Sequence, residues 1–342
     1  MTRRKKSGVE WRAKAARVGE LLPVARWHRS VVTAATGSRK SVPWCVAFSG
    51  GADSLALLLS LWANFPERRE RLVALHFNHR LRGKAADADA EFCREVCRSL
   101  GIRLRVGVWR AAPKEASEAA ARAARHGFFI RELGKLKAKA LWLAHQQDDI
   151  AETMLMRLAR GSGTGGLAAP RPIQAMPDHR QHWRPLLTVN KREIVLILRE
   201  AQVAWREDAS NGGDTFLRNR VRRSVLPVWA KASGRDRDLL AGVALARERL
   251  EEDDVALESW LDGLLALKRG ELNLERLAGV PRAVWRRALH RWLLAVRPDT
   301  DLSRQGFAQL LLAVEAGRNT RFSLGSAAFA VVRDGRLTLK KR

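Results

Sequence analysis

The six residues Ser49-Gly50-Gly51-Ala52-Asp53-Ser54 hold the densest chemical potential in this 342-residue chain. An apolar run, Val42 to Phe48, leads into them, and a second, Leu55 to Leu61, poor in β-branched residues, follows. The first reads as a strand and the second as a helix. A strand, a glycine turn and a helix start aim backbone N–H groups at an anion. Glycine permits the close approach and positive φ that such a turn needs. Ser49 and Ser54 add hydroxyl donors, and Asp53 offers a carboxylate for a metal ion on a phosphate. No lysine sits in the run, which separates it from the Gly-x-x-x-x-Gly-Lys-Ser/Thr loop. The bland alternative is an ordinary glycine-rich strand-to-helix turn.

A second block is His145-Gln-Gln-Asp148-Asp149-Ile-Ala-Glu152-Thr153. Asp149, Glu152 and Thr153 stand three or four apart and share a helix face. They form a carboxylate cluster that can hold Mg2+ or receive a cationic substrate, although acids in a first helical turn also suit the helix dipole alone. His76-Phe-Asn-His79-Arg80-Leu-Arg82-Gly83 can orient a nucleotide or phosphate; as a zinc site it lacks further ligands. Glu118 and Arg122 stand four apart, which also describes a plain helix-surface pair. Trp205 to Asn211, then Phe216 to Arg223, carry the arginines Arg218, Arg220, Arg222 and Arg223, a residue type suited to phosphates and base stacking.

These blocks need elements to hold them. From Ser41 the chain alternates strand and helix: strands at 42–48, 71–77, 102–109 (nearer an edge) and 140–144, helices at 54–63, 88–100, 117–133 and 150–160. Ser117 is the expected N-cap of the third helix, and Gly101 the stop of the second. Repeated strand–helix units predict a doubly wound, mostly parallel α/β sheet with helices on both faces. Ligands of such sheets bind at the strand C-termini, where the blocks at 49–54, 76–82 and 145–149 all fall. Gly161 to Gly166, with Pro170 and Pro172 beyond, marks a mobile loop, and helices are expected at 191–201 and 214–229. Past about Lys231 helical periodicity dominates to about Ala316, and Asp334-Gly335 between two alternating runs signals a terminal hairpin. Three parts result: a basic extension at 1–40, an α/β domain at 41–230, and a mainly α-helical domain at 231–342 ending in a small β element.

Taken as an ordered set, the motifs resemble the tRNA(Ile)-lysidine synthetase family of PP-loop ATPases. The likeness runs from about Val42 to Pro227. It rests on Ser-Gly-Gly-x-Asp-Ser (49–54), His-x-x-His-x-Leu-Arg (76–82), Glu-x-x-x-Arg (118–122), Ala-His-x-x-Asp-Asp-x-x-Glu-Thr (144–153), Arg-Gly-Ser-Gly (160–163), Arg-Pro-Leu-Leu (184–187), and Glu-Asp-x-Ser-Asn with the later Arg-Asn-x-x-Arg (207–222). The segment after Lys231 is similar, more loosely, to the family's substrate-binding region, and a third C-terminal module of longer members is expected to be missing. Asn78, where an acid is expected, and Arg80, where glycine is usual, depart from the pattern. The resemblance implies adenylation of the wobble cytidine of an isoleucine tRNA with a CAU anticodon, then attack by free L-lysine, with release of pyrophosphate and AMP. It implies ATP held by Ser49, Gly50, Gly51, Ala52, Asp53, Ser54 and His76, and Mg2+ held by Asp53 with Asp149. Lysine would meet Asp148, Asp149 and Glu152. Catalytic roles would fall to Asp53, Arg122, His145, Asp149 and Glu152, with Arg218, Arg220 and Arg222 on the tRNA and loop 161–169 closing over the site. A homodimer is compatible with it.

Composition agrees with a nucleic-acid partner. Lysine and arginine number 63 against 36 acids, a formal net charge of +27. That field favours a polyanion, nucleic acid before an acidic membrane. Residues 1–40 hold eleven basic residues against Glu10 and Glu20. A nucleic-acid arm, a solvated tail with Arg3 to Lys6 mobile, and an organelle transit peptide all fit, as does an amphipathic helix over 11–28. Three cysteines exclude a disulfide framework, suit a reducing cytoplasm, and cannot supply the cluster that cytidine thiolases need. No apolar run is long enough to cross a bilayer. A non-catalytic RNA-binding protein on a decayed ATPase scaffold would share the charge but not retain Asp53, Asp149 and Glu152.

Overall fold

The computed structural model describes residues 3–80, 84–109, 117–207, 217–234, 236–296, 302–325 and 328–341. Helices α1 (Arg3–Leu21) and α2 (Arg29–Thr36) precede β1 (Trp44–Ala47) and α3 (Ala52–Asn64). The alternation continues through β2 (Leu72–Asn78), α4 (Lys84–Leu100), β3 (Arg103–Val108), α5 (Glu118–Lys135), β4 (Ala140–Trp142) and α6 (Gln147–Leu158). Then come α7 (Thr164–Leu167), β5 (Ile173–Ala175), β6 (Gln181–Trp183), α8 (Lys191–Glu200), α9 (Leu217–Arg220), one π turn, and α10 (Leu226–Ala232). The remainder is α11 (Leu239–Leu264), β7 (Leu267–Lys268), β8 (Glu271–Asn273), α12 (Arg282–Val296), α13 (Arg304–Glu315), β9 (Thr320–Ser323), β10 (Ala328–Arg333) and β11 (Arg336–Lys341).

Six strands form one sheet in the order β3-β2-β1-β4-β6-β5, with only β5 antiparallel to its neighbour. Strand β3 lies at an edge, as its alternating basic residues require. Side chains of β1 alternate between two cores. Trp44 and Val46 join the cluster built on α1, α2, α3 and α8, and Cys45 joins Phe128, Phe129 and Leu133 of α5. Helices therefore cover both faces, and apolar residues on both sides of each strand make the parallel sheet possible. The chain runs outward from β1 to β2 on one side and returns to β4 on the other. The gap between the C-termini of β1 and β4 is thus the topological switch point, where such sheets take ligands. The β5–β6 hairpin, absent from the sequence reading, extends the sheet because β6 pairs in parallel with β4.

From Trp11 to Ala35 the N-terminal segment is not a detached arm. Trp11, Ala15, Val18, Leu22, Trp27, Val31 and Ala35 are buried in the first core, against α3 and α4. Gly19 crosses α3 so closely that a Cβ there would stand 2.5 Å from the Cβ of Ala63. The chain divides into compact units at 1–249 and 250–342, inside α11, later than the 230/231 boundary read from sequence. The physical reason is that the first turns of α11 belong with the α/β unit: Ala241, Ala244 and Leu245 share a cavity of about 210 Å³ with Gln147 and Leu187. The second unit contains its own apolar core and a five-stranded antiparallel sheet, β7-β8-β11-β10-β9, larger than the hairpin expected. Asp334 and Gly335, at φ 50° and 68°, make the two-residue turn with both φ positive that such a hairpin prefers. No helix among the described residues is long and apolar enough to cross a membrane.

Candidate active site

The glycine turn forms as the sequence requires. Gly50 takes φ +89°, and a Cβ there would meet Phe92 at 3.2 Å and Cys93 Sγ at 3.3 Å. The loop is shaped from within: Ser54 Oγ accepts from the Ser49 N–H at 3.2 Å and donates to the Gly51 carbonyl at 3.0 Å. Gly51 is the N-cap of α3 and brings no side-chain acceptor, so no side chain caps the first-turn N–H groups of that helix. This is a cradle for an anion. Arg206 closes its back, giving its N–H to the Gly50 carbonyl at 3.0 Å and its guanidinium to Asp89 at 2.7 Å.

The acidic block opens α6 at the neighbouring strand tip. Gln146 and Asp149 form a capping box, with Asp149 Oδ2 accepting from the Gln146 N–H at 3.0 Å. Glu152 is fully buried. Arg218 reaches both acids, 2.6 Å from Glu152 and 2.5 Å from Asp149, and Arg222 lies 2.5 Å from Glu152. Arg218 and Arg222, expected on the tRNA, therefore turn inward onto carboxylates, because a buried glutamate needs paired charge. Arg220 between them faces outward and is exposed.

One residue joins the two halves. Lys191 Nζ pairs with Asp53 Oδ1 at 2.7 Å, while its backbone N–H donates to Asp148 Oδ2 at 2.9 Å. Asp53 and the 148–152 group thus meet at the switch point. Burial pushes the Asp53 carboxyl up, with Lys191 opposing and Asp149 adding to the rise. Asp148 is also raised by burial, opposed by the Lys191 N–H. Its partner in this site is a backbone N–H, whereas Asp149 and Glu152 pair with arginine side chains.

His145 accepts from the Arg184 Nε–H at 3.0 Å through Nδ1. Burial first, then Arg184, Arg218, Arg122 and Arg125, hold it neutral, well below the ordinary imidazole range. Its expected service as a proton acceptor is correspondingly weak. Arg122, on α5, is exposed and contributes to that cationic field. His76 is buried, its Nδ1–H donating to the Phe48 carbonyl at 2.9 Å. Its Nε2 has no hydrogen-bond partner among the described residues. Asn78 caps the following turn, accepting from the Arg80 N–H at 2.8 Å and donating to Asp87 at 3.0 Å. Arg80 stands at φ 57°, which explains why glycine is usual there. Leu81, Arg82 and Gly83, the Glu118 side chain, and 208–216 with Asp208 to Asn211 lie outside the described residues. The loop at 161–169 is folded: α7 sits within it, and Arg157 donates to the Gly166 carbonyl at 2.5 Å.

Lys191, Arg184 and Arg206 were not singled out as site residues from sequence. Lys191 did leave a signal: a lysine opening a helix, after Asn190 and before Glu193, opposes the helix dipole.

Among the described residues no three His, Cys, Asp or Glu side chains are grouped to hold a metal unaided. Mg2+ asks for less, one or two carboxylates with phosphate and water completing its shell. Asp53, already holding a cation, fits that requirement, with Asp149 next to it in the same field.

Known proteins resemble this chain in sequence and in fold. The family described as PP-loop domain matches residues 25–229. Curated relatives include the tRNA(Ile)-lysidine synthase of Pseudomonas aeruginosa, 37% identical over 82% of this chain and 65% of its own length. That of Geobacter sulfurreducens is 34% identical over 77% of this chain and 56% of its own. The chain thus spans less than two thirds of these relatives' length. Among solved structures, a U34-tRNA thiolase from Methanococcus maripaludis aligns with a TM-score of 0.51 at 18% identity, covering 70% of this chain and 78% of the thiolase. At that identity the likeness concerns the fold alone.

Proposed function

The chain belongs to the PP-loop domain family, and from that premise we propose that it is a tRNA(Ile)-lysidine synthetase acting on the wobble cytidine of an isoleucine tRNA with a CAU anticodon. The observation that supports this reading is the Asp53–Lys191–Asp148 connection, which joins the glycine turn to the acidic start of α6.

In the first step the cytidine O2 attacks the α phosphorus of ATP; one P–O bond forms, the α–β bridge breaks, and pyrophosphate leaves. The N–H groups at the start of α3, with Ser49 and Ser54, receive the phosphates. Asp53, with Asp149, would hold Mg2+, which when bound would neutralise phosphate charge. In the second step the ε-amine of lysine attacks C2, the C2–O bond breaks, and AMP departs. Asp148 is the acid best placed for that amine. Its raised proton affinity suits it to bind the ammonium form and to accept the proton lost on attack. Glu152 and Asp149 fix Arg218 and Arg222 as a cationic wall beside them, with Arg122 further out on α5. Arg220 and the net charge of +27 hold the tRNA backbone, which makes binding salt-dependent.

Incubation of unmodified tRNA-Ile transcript with the protein, ATP, Mg2+ and labelled lysine tests the reading. Mass analysis should find label on a cytidine-derived nucleoside and one AMP for each lysine joined. ATP turnover without lysine incorporation would move the chain to thiolase-like chemistry.

A further inference from the structure

The helix that brings Lys191 to the site breaks a rule of its own kind. A helix N-terminus carries partial positive charge and favours acids in its first turn. Lys191 is the first residue of α8, directly after the N-cap Asn190. Its backbone is pinned on every side: Asn190 and Glu193 form a capping box, Asp148 takes the Lys191 N–H at 2.9 Å, and the Val189 carbonyl accepts from the Gln147 N–H at 2.9 Å. From this fixed base the side chain reaches an acid 138 residues earlier, placing Nζ 2.7 Å from Asp53 Oδ1. The two side chains remain 41% and 30% exposed, so ligand can reach the pair. A half-open ion pair of this kind contributes little net stability, which is poor grounds for a structural tie against the dipole.

The glycine turn meanwhile has an unbalanced charge. Residues 49–54 contain an acid and no cation, yet the ligand for which the turn is shaped is a polyanion. We propose that Lys191 is a catalytic residue that supplies this cation from α8: its ammonium hydrogen-bonds the pyrophosphate portion of ATP and stabilises the charge that pyrophosphate takes away. The assignment rests on the nucleotide reading of the site and extends it. When the acceptor oxygen bonds to the α phosphorus, the bridging bond breaks and its electron pair passes to a β-phosphate oxygen. An ammonium already aimed at the cradle meets that charge without reorganisation. Its contact with Asp53 is the resting arrangement, exchanged for a stronger charge-assisted bond to phosphate when nucleotide enters. Because the same residue's N–H holds Asp148, the cradle and the amine-binding acid are set by one anchored position.

The whole chain and two variants, Lys191→Met and Lys191→Arg, test this. Calorimetry with Mg2+ measures pyrophosphate and lysine binding, rapid quench measures AMP release in a single turnover, and melting temperature reports the fold. Lys191→Met should bind pyrophosphate roughly 10-fold more weakly and release AMP roughly 100-fold more slowly, with lysine affinity and melting little changed. Lys191→Arg, which keeps the charge, should recover most of the pyrophosphate binding. A methionine variant that binds pyrophosphate as the wild type does, or more tightly because a plug has been removed, overturns the assignment alone. If that variant does not fold, the arginine variant decides: folded but unable to bind pyrophosphate, it also overturns the assignment. Wild-type protein that binds neither ATP nor pyrophosphate overturns the nucleotide reading itself, and Lys191 with it.

Discussion

In the first unit Arg218 and Arg222 close on Asp149 and Glu152; in the second, Arg287 and Arg291 close on Asp254, Glu258 and Asp262. Both are arginine–carboxylate networks of similar size, and they do different work. The second joins two neighbouring helices. Asp254, Glu258 and Asp262 recur every four residues along α11, and Arg287 and Arg291 do so along α12, so one helix face meets another. Its Arg287–Asp254 pair is buried, while Arg291, Glu258 and Asp262 are open to water. The first joins a helix start at a strand tip to a helix some 70 residues later, around a glutamate with no solvent exposure. Beside it lie an anion cradle, a neutral histidine and the Lys191–Asp53 pair. Ion pairing by itself therefore does not mark a site; what sets the first network apart is its place at a switch point, next to a helix start that no side chain caps.

The sharpest way to break this comparison is Glu152→Gln. It leaves Arg218 and Arg222 without their buried partner, so it should cost roughly 3 kcal/mol of stability and about 1000-fold in AMP formation. Thermal melts and a radiolabelled ATP assay measure both; near-normal turnover would place the network with the merely structural one. Gly50→Ala comes next. A side chain at φ +89°, 3.2 Å from Phe92, should cost about 1–2 kcal/mol and lower ATP turnover by roughly 10-fold through a displaced loop. The second network should respond differently. Arg291→Ala removes pairs that are partly exposed and should cost no more than about 1 kcal/mol, shrinking further in high salt, with ATP turnover unchanged. Loss of turnover in that variant would erase the distinction drawn between the networks. The smallest effect is an absence. Burial first, then Arg184 and Arg218, keeps His145 neutral, so its ring resonances should stay flat in an NMR titration from about pH 8 to about pH 6. A titration centred in the ordinary imidazole range would show that the ring is neither buried nor held in this cationic field.

Much of the α/β unit was legible because local physics and the final fold agree. The apolar run before Ser49, the glycine turn and the leucine-rich helix read as a strand meeting a helix, and β1 and α3 form there. Ser117 caps α5 as expected, its Oγ accepting from the Ala120 N–H at 3.1 Å. Asp334-Gly335 turns a hairpin as its residue types demand. The misreadings share one cause, which is that partners distant in sequence outweighed local character. The basic composition of residues 1–40 suggested an arm, but the apolar stripe from Trp11 to Leu22 had a surface of α3 and α4 to cover. Arginines 218 and 222, read from sequence as a phosphate grip, pair with a buried glutamate that no local pattern announced.

The sequence by itself determined the chemistry on offer: a lysine-free cradle, an acidic helix start, a cationic chain and the order of strands and helices that would present them. Those features are local, written in residue type and in spacings of two to four. Only the tertiary structure decided which charges meet. The order of strands in the sheet, with β1 beside β4, set Asp53 next to α6, and the anchoring of α8 delivered Lys191 between them. Such pairings span more than a hundred residues, and no periodicity encodes them; they exist because a packed core leaves each buried or half-buried charge very few places to find its opposite.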